Sequence, residues 1–161
     1  MNKIISRKKS RKYLFQKLFS LSYNYNEKND FDYSFLIDSY KWKIDEEYLT
    51  EIEKIILEKQ SEFIYILKKY ASKFSVEKMD ITYVIPIFIA LSEIFYFSEE
   101  IPIKVIINEA VELAKTFWTE TAPKIVNWVL DKVIKSYKQL KEEIKNAPKS
   151  EFSFFEKEID K

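Results

Sequence analysis

A chain of 161 residues is long enough for one domain that buries about two-thirds of its unfolded surface, and this one contains no cysteine, histidine or glycine. Those absences exclude disulfides, thiolate metal sites, Ser-His and Cys-His nucleophiles, the HExxH zinc motif and glycine-rich phosphate loops, so neither an enzyme nor a cofactor is expected. Basic and acidic residues number 27 and 26, a net charge of +1, so what matters is how the charge is distributed.

The distribution is lopsided at the start. No acidic residue occurs from Met1 to Asn26, whereas Lys3, Arg7, Lys8, Lys9, Arg11, Lys12 and Lys17 are basic. A helix is predicted from Ser6 or Arg7, with Leu14, Leu18 and Leu21 as its buried line and Arg7, Lys8 and Arg11 on the other side. Cations at a helix N-terminus oppose the macrodipole, so this cluster does not serve the helix itself. It reads either as a solvated terminus or as a site for an external anion. The segment has charge but no apolar core, so it does not read as a signal peptide, and a soluble, cytoplasmic protein with no membrane role is expected.

Asn24 to Asp30 read as a polar loop, and Phe31, Phe35, Leu36 and Tyr40 as a short second helix. A longer helical stretch runs from Glu46 to about Phe74. Its inward face is Leu49, Ile52, Ile56, Phe63, Ile66, Leu67 and Tyr70, with a possible break across Glu58 to Glu62. Ser75 or Asp80 is expected to cap the next helix. The most apolar run, Ile81 to Phe97, holds Pro86, Ser92 and Glu93 and falls short of the roughly 20 residues that span a bilayer. It reads as a helix buried on most sides, with Pro86 in an early turn or at a kink.

From Ile101 to Asp131 the pattern is clearest. Ile103, Ile106, Ala110, Leu113 and Phe117 line one face of a helix that Pro102 suits as a start. Thr121 is the expected N-cap of the next helix, with Ala122 and Pro123 in its first turn and Val126, Val129, Leu130, Val133 and Tyr137 as its stripe. Two such helices form an antiparallel hairpin that can nucleate a bundle. Trp128 points away from that stripe, among Thr121, Lys124, Asp131, Lys132 and Lys135. It is expected to be half-covered by lysine stems, covered by the tail, or free to stack on a base. The last helix continues to about Asn146, and Pro148 stops it. The tail, 149–161, carries Phe152, Phe154 and Phe155 and reads equally as a frayed end or a docking segment. Without glycine, helix ends that need positive φ are expected to use Asn24, Asn26, Asn29 and Asn146.

The segment Ile101-Pro102, Lys104-Val105 and Ile107 through Lys115, with Lys124, Val126-Asn127 and Val129-Leu130-Asp131, resembles the most distinctive part of the NusB family of RNA-binding transcription antitermination factors. Arg7-Lys8-Lys9-Ser10-Arg11, Phe15-Gln16 and Leu18-Phe19 are similar to that family's arginine-rich opening. Departures occur at Trp118 and Trp128, where the family usually has glycine, and at Phe88, where it usually has arginine. Thr121 and Ile125 stand where it often has an acidic and an aromatic residue.

The resemblance implies an all-α, NusB-like bundle of about seven helices over residues 1–148, in sub-bundles of about 1–75 and 76–146. It also implies single-stranded boxA-type RNA as ligand, the small-subunit ribosomal protein NusE as partner, and delivery to the RNA polymerase complex on ribosomal RNA genes. Arg7, Lys8, Lys9, Arg11 and Lys12 would then neutralise phosphates, with Gln16 as a polar contact and Phe117 as a stacking surface. Lys124 and Trp128 extend that candidate RNA surface, and Glu93, Pro102 and Lys104 would face the partner. Asn108, Glu109 and Asn127 fit the family pattern too, but polar residues between helices usually serve packing. The alternative is a protein-interaction scaffold that keeps the fold with weakened RNA specificity.

Overall fold

Side-chain oxygens of Ser6, Asp45 and Asp80 mark where three of the described helices begin. The computed structural model describes residues 6–23, 44–71, 75–116 and 120–155, which form seven α-helices and two short 3-10 turns and, among those described residues, no strand. The helices are α1 (Arg7–Tyr23), α2 (Glu46–Glu58), α3 (Gln60–Tyr70), α4 (Ile81–Phe95), α5 (Ile103–Lys115), α6 (Thr121–Lys135) and α7 (Tyr137–Glu143). Ser6 precedes α1 and its hydroxyl accepts from Lys9 N at 3.1 Å. Asp45 caps α2 by accepting from Tyr48 N, and Glu46 and Glu47 in the first turn complement the positive end of the helix dipole. Asp80, not Ser75, caps α4, through Thr82 N at 2.9 Å. The long helix expected from Glu46 onward is indeed broken, at the single residue Lys59.

Helix α4 is the centre of the molecule. Every residue from Val84 to Glu93 is buried, Pro86 included, because α1, α2, α5 and α6 all pack around it. A helix apolar on all sides has to be surrounded in this way. The α5–α6 hairpin closes one flank, with Ile106, Ala110, Leu113 and Ala114 facing Val126, Val129, Leu130 and Val133. Each large aliphatic side chain so enclosed contributes about 1.5–3 kcal/mol.

Three expectations change in detail. Ile103 is 38% exposed, because the first turn of α5 rises to the rim and the inward line continues through Ala114 instead. Thr121 is the first helical residue and not the cap; Glu120 precedes it with no side-chain capping bond. No asparagine closes the described helices with positive φ: the residues after α2, α3, α4 and α6 are Lys59, Ala71, Tyr96 and Ser136, at φ −108°, −122°, −134° and −113°. Asn146 lies in the closing 3-10 turn before Ala147. The expected loop and helix over 24–43, including Asn24, Asn26 and Asn29, lie outside the described residues, as do Phe117 and Trp118.

Tyr137 begins α7 and stacks on Phe95 of α4, rings 5.4 Å apart at 15°. The tail then returns to the bundle, where Phe155 is fully buried. Among the described residues no helix is long and apolar enough to cross a membrane.

Candidate nucleic-acid interface

The basic opening of the chain divides into cations that face inward and cations that face out. Arg11 lies on the side of α1 that meets α4. Its guanidinium forms two 2.9 Å hydrogen bonds to Glu93, Nε to Oε2 and Nη2 to Oε1, and lies 5.5 Å from the centre of the Tyr48 ring. Tyr48 also donates its hydroxyl to Glu93. Burial pushes the Tyr48 phenol well above its usual range, and the Glu93 charge adds to the effect. The Arg11 pKa is raised as well: burial works against it, and the Glu93 hydrogen bonds, with the charges around it, outweigh burial. One turn earlier, Arg7 Nη2 reaches Asp45 at 3.2 Å and Glu99 at 3.0 Å, and the guanidinium lies over Tyr48 and Phe97.

Two of the expected site residues are thus already paired with each other inside the fold. Arg11, expected to neutralise RNA phosphates, is buried and holds an internal carboxylate. Glu93, expected to meet a basic partner, is held by Arg11 of the same chain and also lines a hollow beside Phe97 and Pro102. A buried carboxylate without such a partner would cost several kcal/mol, which is why α1 and α4 meet here. The signal was present in the sequence: Glu93 falls within the most apolar run, where an acid needs an internal cation. Asp45, Tyr48 and Glu99, which complete the arrangement, carried no such signal.

The outward cations are lysines. Lys8 and Lys9 are exposed and Lys12 is half-buried. The Lys8 side chain is 57% exposed, with Nζ 3.7 Å from Glu109. Lys8, Arg11, Lys12, Glu109, Glu112, Leu113 and Thr116 border a cleft of about 80 Å³ between α1 and α5. Gln16 lies further along α1, half-buried, with its side-chain oxygen enclosed and accepting no hydrogen bond from the described residues.

The remaining candidates lie elsewhere. Lys124 is exposed on α6. Trp128, one turn on, is 55% exposed; its Nε1 donates to Tyr70 O at the end of α3, and Lys132 Nζ sits 4.4 Å from the ring centre. Lys132 therefore covers part of the ring, the described tail residues pack elsewhere, at Phe88 and Gln60, and more than half of the Trp128 surface stays exposed. Pro102 and Lys104 are exposed at the start of α5, where Pro102 O accepts from Val105 N and Ile106 N. Beside them is a hollow of about 580 Å³ whose lining includes Phe97, Glu99, Glu100, Pro102 and Ile103. Exposed Val105 lies on the same first turn of α5.

These features define, among the described residues, an all-helical module with lysines exposed on its first helix and a hollow bordered by Glu99, Glu100 and Ile103 at the start of α5. The sequence profile of the NusB family matches residues 8–135, and the chain belongs to that family. The transcription antitermination protein NusB of Ligilactobacillus salivarius is 35% identical over 131 residues, covering 81% of this chain and 98% of that protein. The protein of the same name from Klebsiella pneumoniae is 33% identical over 127 residues, 79% of this chain and 90% of its own length. That from Pseudoalteromonas atlantica is 30% identical over 138 residues, with coverages of 83% and 94%.

Proposed function

We propose that this chain is a transcription antitermination factor that binds single-stranded boxA-type RNA together with the small-subunit ribosomal protein NusE, and that the pair acts on the RNA polymerase complex at ribosomal RNA genes. The observation that carries the reading is the placement of Lys8 and Lys12 at the α1–α5 cleft, with Lys9 exposed beside them on α1. Exposed ammonium groups neutralise phosphates without a rearrangement of the core, and no covalent step is needed. Lys124 and the exposed Trp128 form a second part of the RNA surface, on α6, with Phe117 and Gln16 as further base contacts. Arg7 is half-buried and already holds two carboxylates, so it contributes charge at the edge of this surface.

The partner fits the hollow at the start of α5. Glu99 and Glu100 provide negative charge for a basic ribosomal protein, and Ile103, Val105 and Pro102 provide apolar area, with Lys104 at the margin. The test is fluorescence anisotropy with a labelled boxA RNA and a scrambled RNA, each with and without NusE. Tighter binding of boxA than of the scrambled RNA, strengthened by NusE, is expected. Equal affinity for the two RNAs in the presence of NusE overturns the RNA assignment and favours a protein scaffold.

A further inference from the structure

Phe88 stands midway along α4 and is fully enclosed, yet two of the rings that enclose it belong to the C-terminal tail. Phe154 meets it edge-on at 5.8 Å and Phe155 at 6.1 Å, while Phe63 of α3 lies 5.4 Å away. The polar contacts are as specific as the apolar ones. Gln60, 8% exposed at the start of α3, accepts two hydrogen bonds of 2.9 Å on Oε1, from Ser153 Oγ and Phe154 N. The next residue, Ser61, accepts from Ser150 N at 2.8 Å.

Residues 150–155 belong to no helix. Their position is set by side chains of α3 and α4: a buried amide that receives a main-chain N–H, and an apolar recess that receives rings. Recognition of an extended peptide combines these same two elements, main-chain hydrogen bonds for affinity and pockets for spaced side chains. Were the tail absent, the Gln60 oxygen would lose both donors and Phe88 would lose its cover on one side.

We propose that the α3–α4 face is a peptide-binding groove for a short non-helical segment, bent at its serines, bearing phenylalanines in the spacing Phe-x-Phe-Phe, and that residues 150–155 of this chain fill it as a tethered ligand. The tether is short, Ala147 to Lys149 after the turn that ends at Asn146. It holds the ligand at an effective concentration on the order of millimolar, so the groove stays filled even when the free segment binds only moderately. The tail lies outside the family match at 8–135, whereas the residues that receive it, Gln60 and Phe88, lie inside it.

The test uses the full chain with a protease recognition sequence inserted between Pro148 and Lys149, cut after folding. At roughly 50 μM, well below the tether's effective concentration, the severed segment should co-elute with the body and exchange with a labelled peptide of residues 149–161. Gln60→Ala and Phe155→Ala should each weaken that binding about tenfold, equivalent to about 1.4 kcal/mol. If the inserted sequence prevents folding, the same labelled peptide is added to the uncut Phe155→Ala chain, whose weakened tail should yield the groove to it. Immediate separation of the severed wild-type segment, or no binding of the peptide to the Phe155→Ala chain, overturns the proposal. Elution of the uncut chain as a dimer that exchanges tails overturns the intramolecular assignment.

Discussion

Arg11 and Glu93 meet through two hydrogen bonds of 2.9 Å with both side chains almost wholly enclosed, and they join the first helix to the central one. Tyr48 of α2 donates to the same carboxylate, and Glu109 of α5 lies 3.9 Å from Arg11 Nη1. Four helices thus converge on one planar cation. Arginine suits the position because its fixed fork can satisfy a carboxylate bidentately, which a lysine cannot do.

Breaking this pair from one side leaves a buried charge uncompensated. Arg11→Ala is expected to reduce unfolding free energy by about 3–5 kcal/mol, read from the midpoint of a denaturant titration. Arg11→Lys should recover only part of the loss, since it restores charge without the fork. A loss below about 1 kcal/mol for Arg11→Ala would show that the pair behaves as an exposed one.

Exposed lysines predict a different response. The Lys8→Ala, Lys9→Ala double variant should melt with the wild type, because neither side chain contributes to the core. Its affinity for single-stranded RNA should depend less on salt, the slope of log K against log salt becoming shallower by about 1.4 for two lost phosphate contacts. An unchanged slope would make the cluster a solvated terminus.

Trp128 separates stacking from simple cover. RNA is expected to quench a component of tryptophan emission that is absent from Trp128→Phe, and Trp128→Ala should weaken binding by about 1–3 kcal/mol for one stacked base. The tail docks at Phe88 and Gln60, so Phe155→Ala should leave the Trp128 emission unchanged. Identical quenching in wild type and Trp128→Phe would remove Trp128 from the RNA surface.

Acid stability should report on Glu143, which ties α7 to α3. It accepts from Lys69 Nζ at 2.7 Å, Tyr65 Oη at 2.8 Å and Gln139 Nε2 at 2.7 Å, and these bonds, Lys69 first, lower its pKa to about 2. A carboxyl whose pKa is lower in the folded state stabilises the fold above its unfolded pKa, and that contribution fades as pH falls through the folded value. Thermal melts of wild type and Glu143→Gln should therefore differ most above the ordinary value of 4.5 and converge as pH falls toward 2. A constant difference across that window would show that the loss in Glu143→Gln comes from packing.

The helices were legible because their cause is local. The steps of three and four in Val126, Val129, Leu130 and Val133 fix a buried face whatever lies opposite, and all four are fully enclosed. The fate of individual charges was not legible in the same way. Arg7, Lys8 and Arg11 look equivalent along α1, and only the arrival of Glu93, Asp45 and Glu99 from distant segments distinguishes them. Trp128 was rightly placed outward by its helical phase, but its bond to Tyr70 O depends on where α3 ends. The tail offered apolar residues without a period, so whether it docks was undecidable until Gln60 and Phe88 were seen to receive it.

The helix ends have a consequence for the unfolded chain. Lys59, Ala71, Tyr96 and Ser136 follow their helices with negative φ, a region open to every L-residue, so none of these junctions uses the left-handed backbone that glycine supplies most readily. A chain without glycine also samples fewer backbone states before it folds. Placing glycine at these junctions would widen that ensemble, at about 0.4–1 kcal/mol per site, and would open no conformation that the folded state occupies.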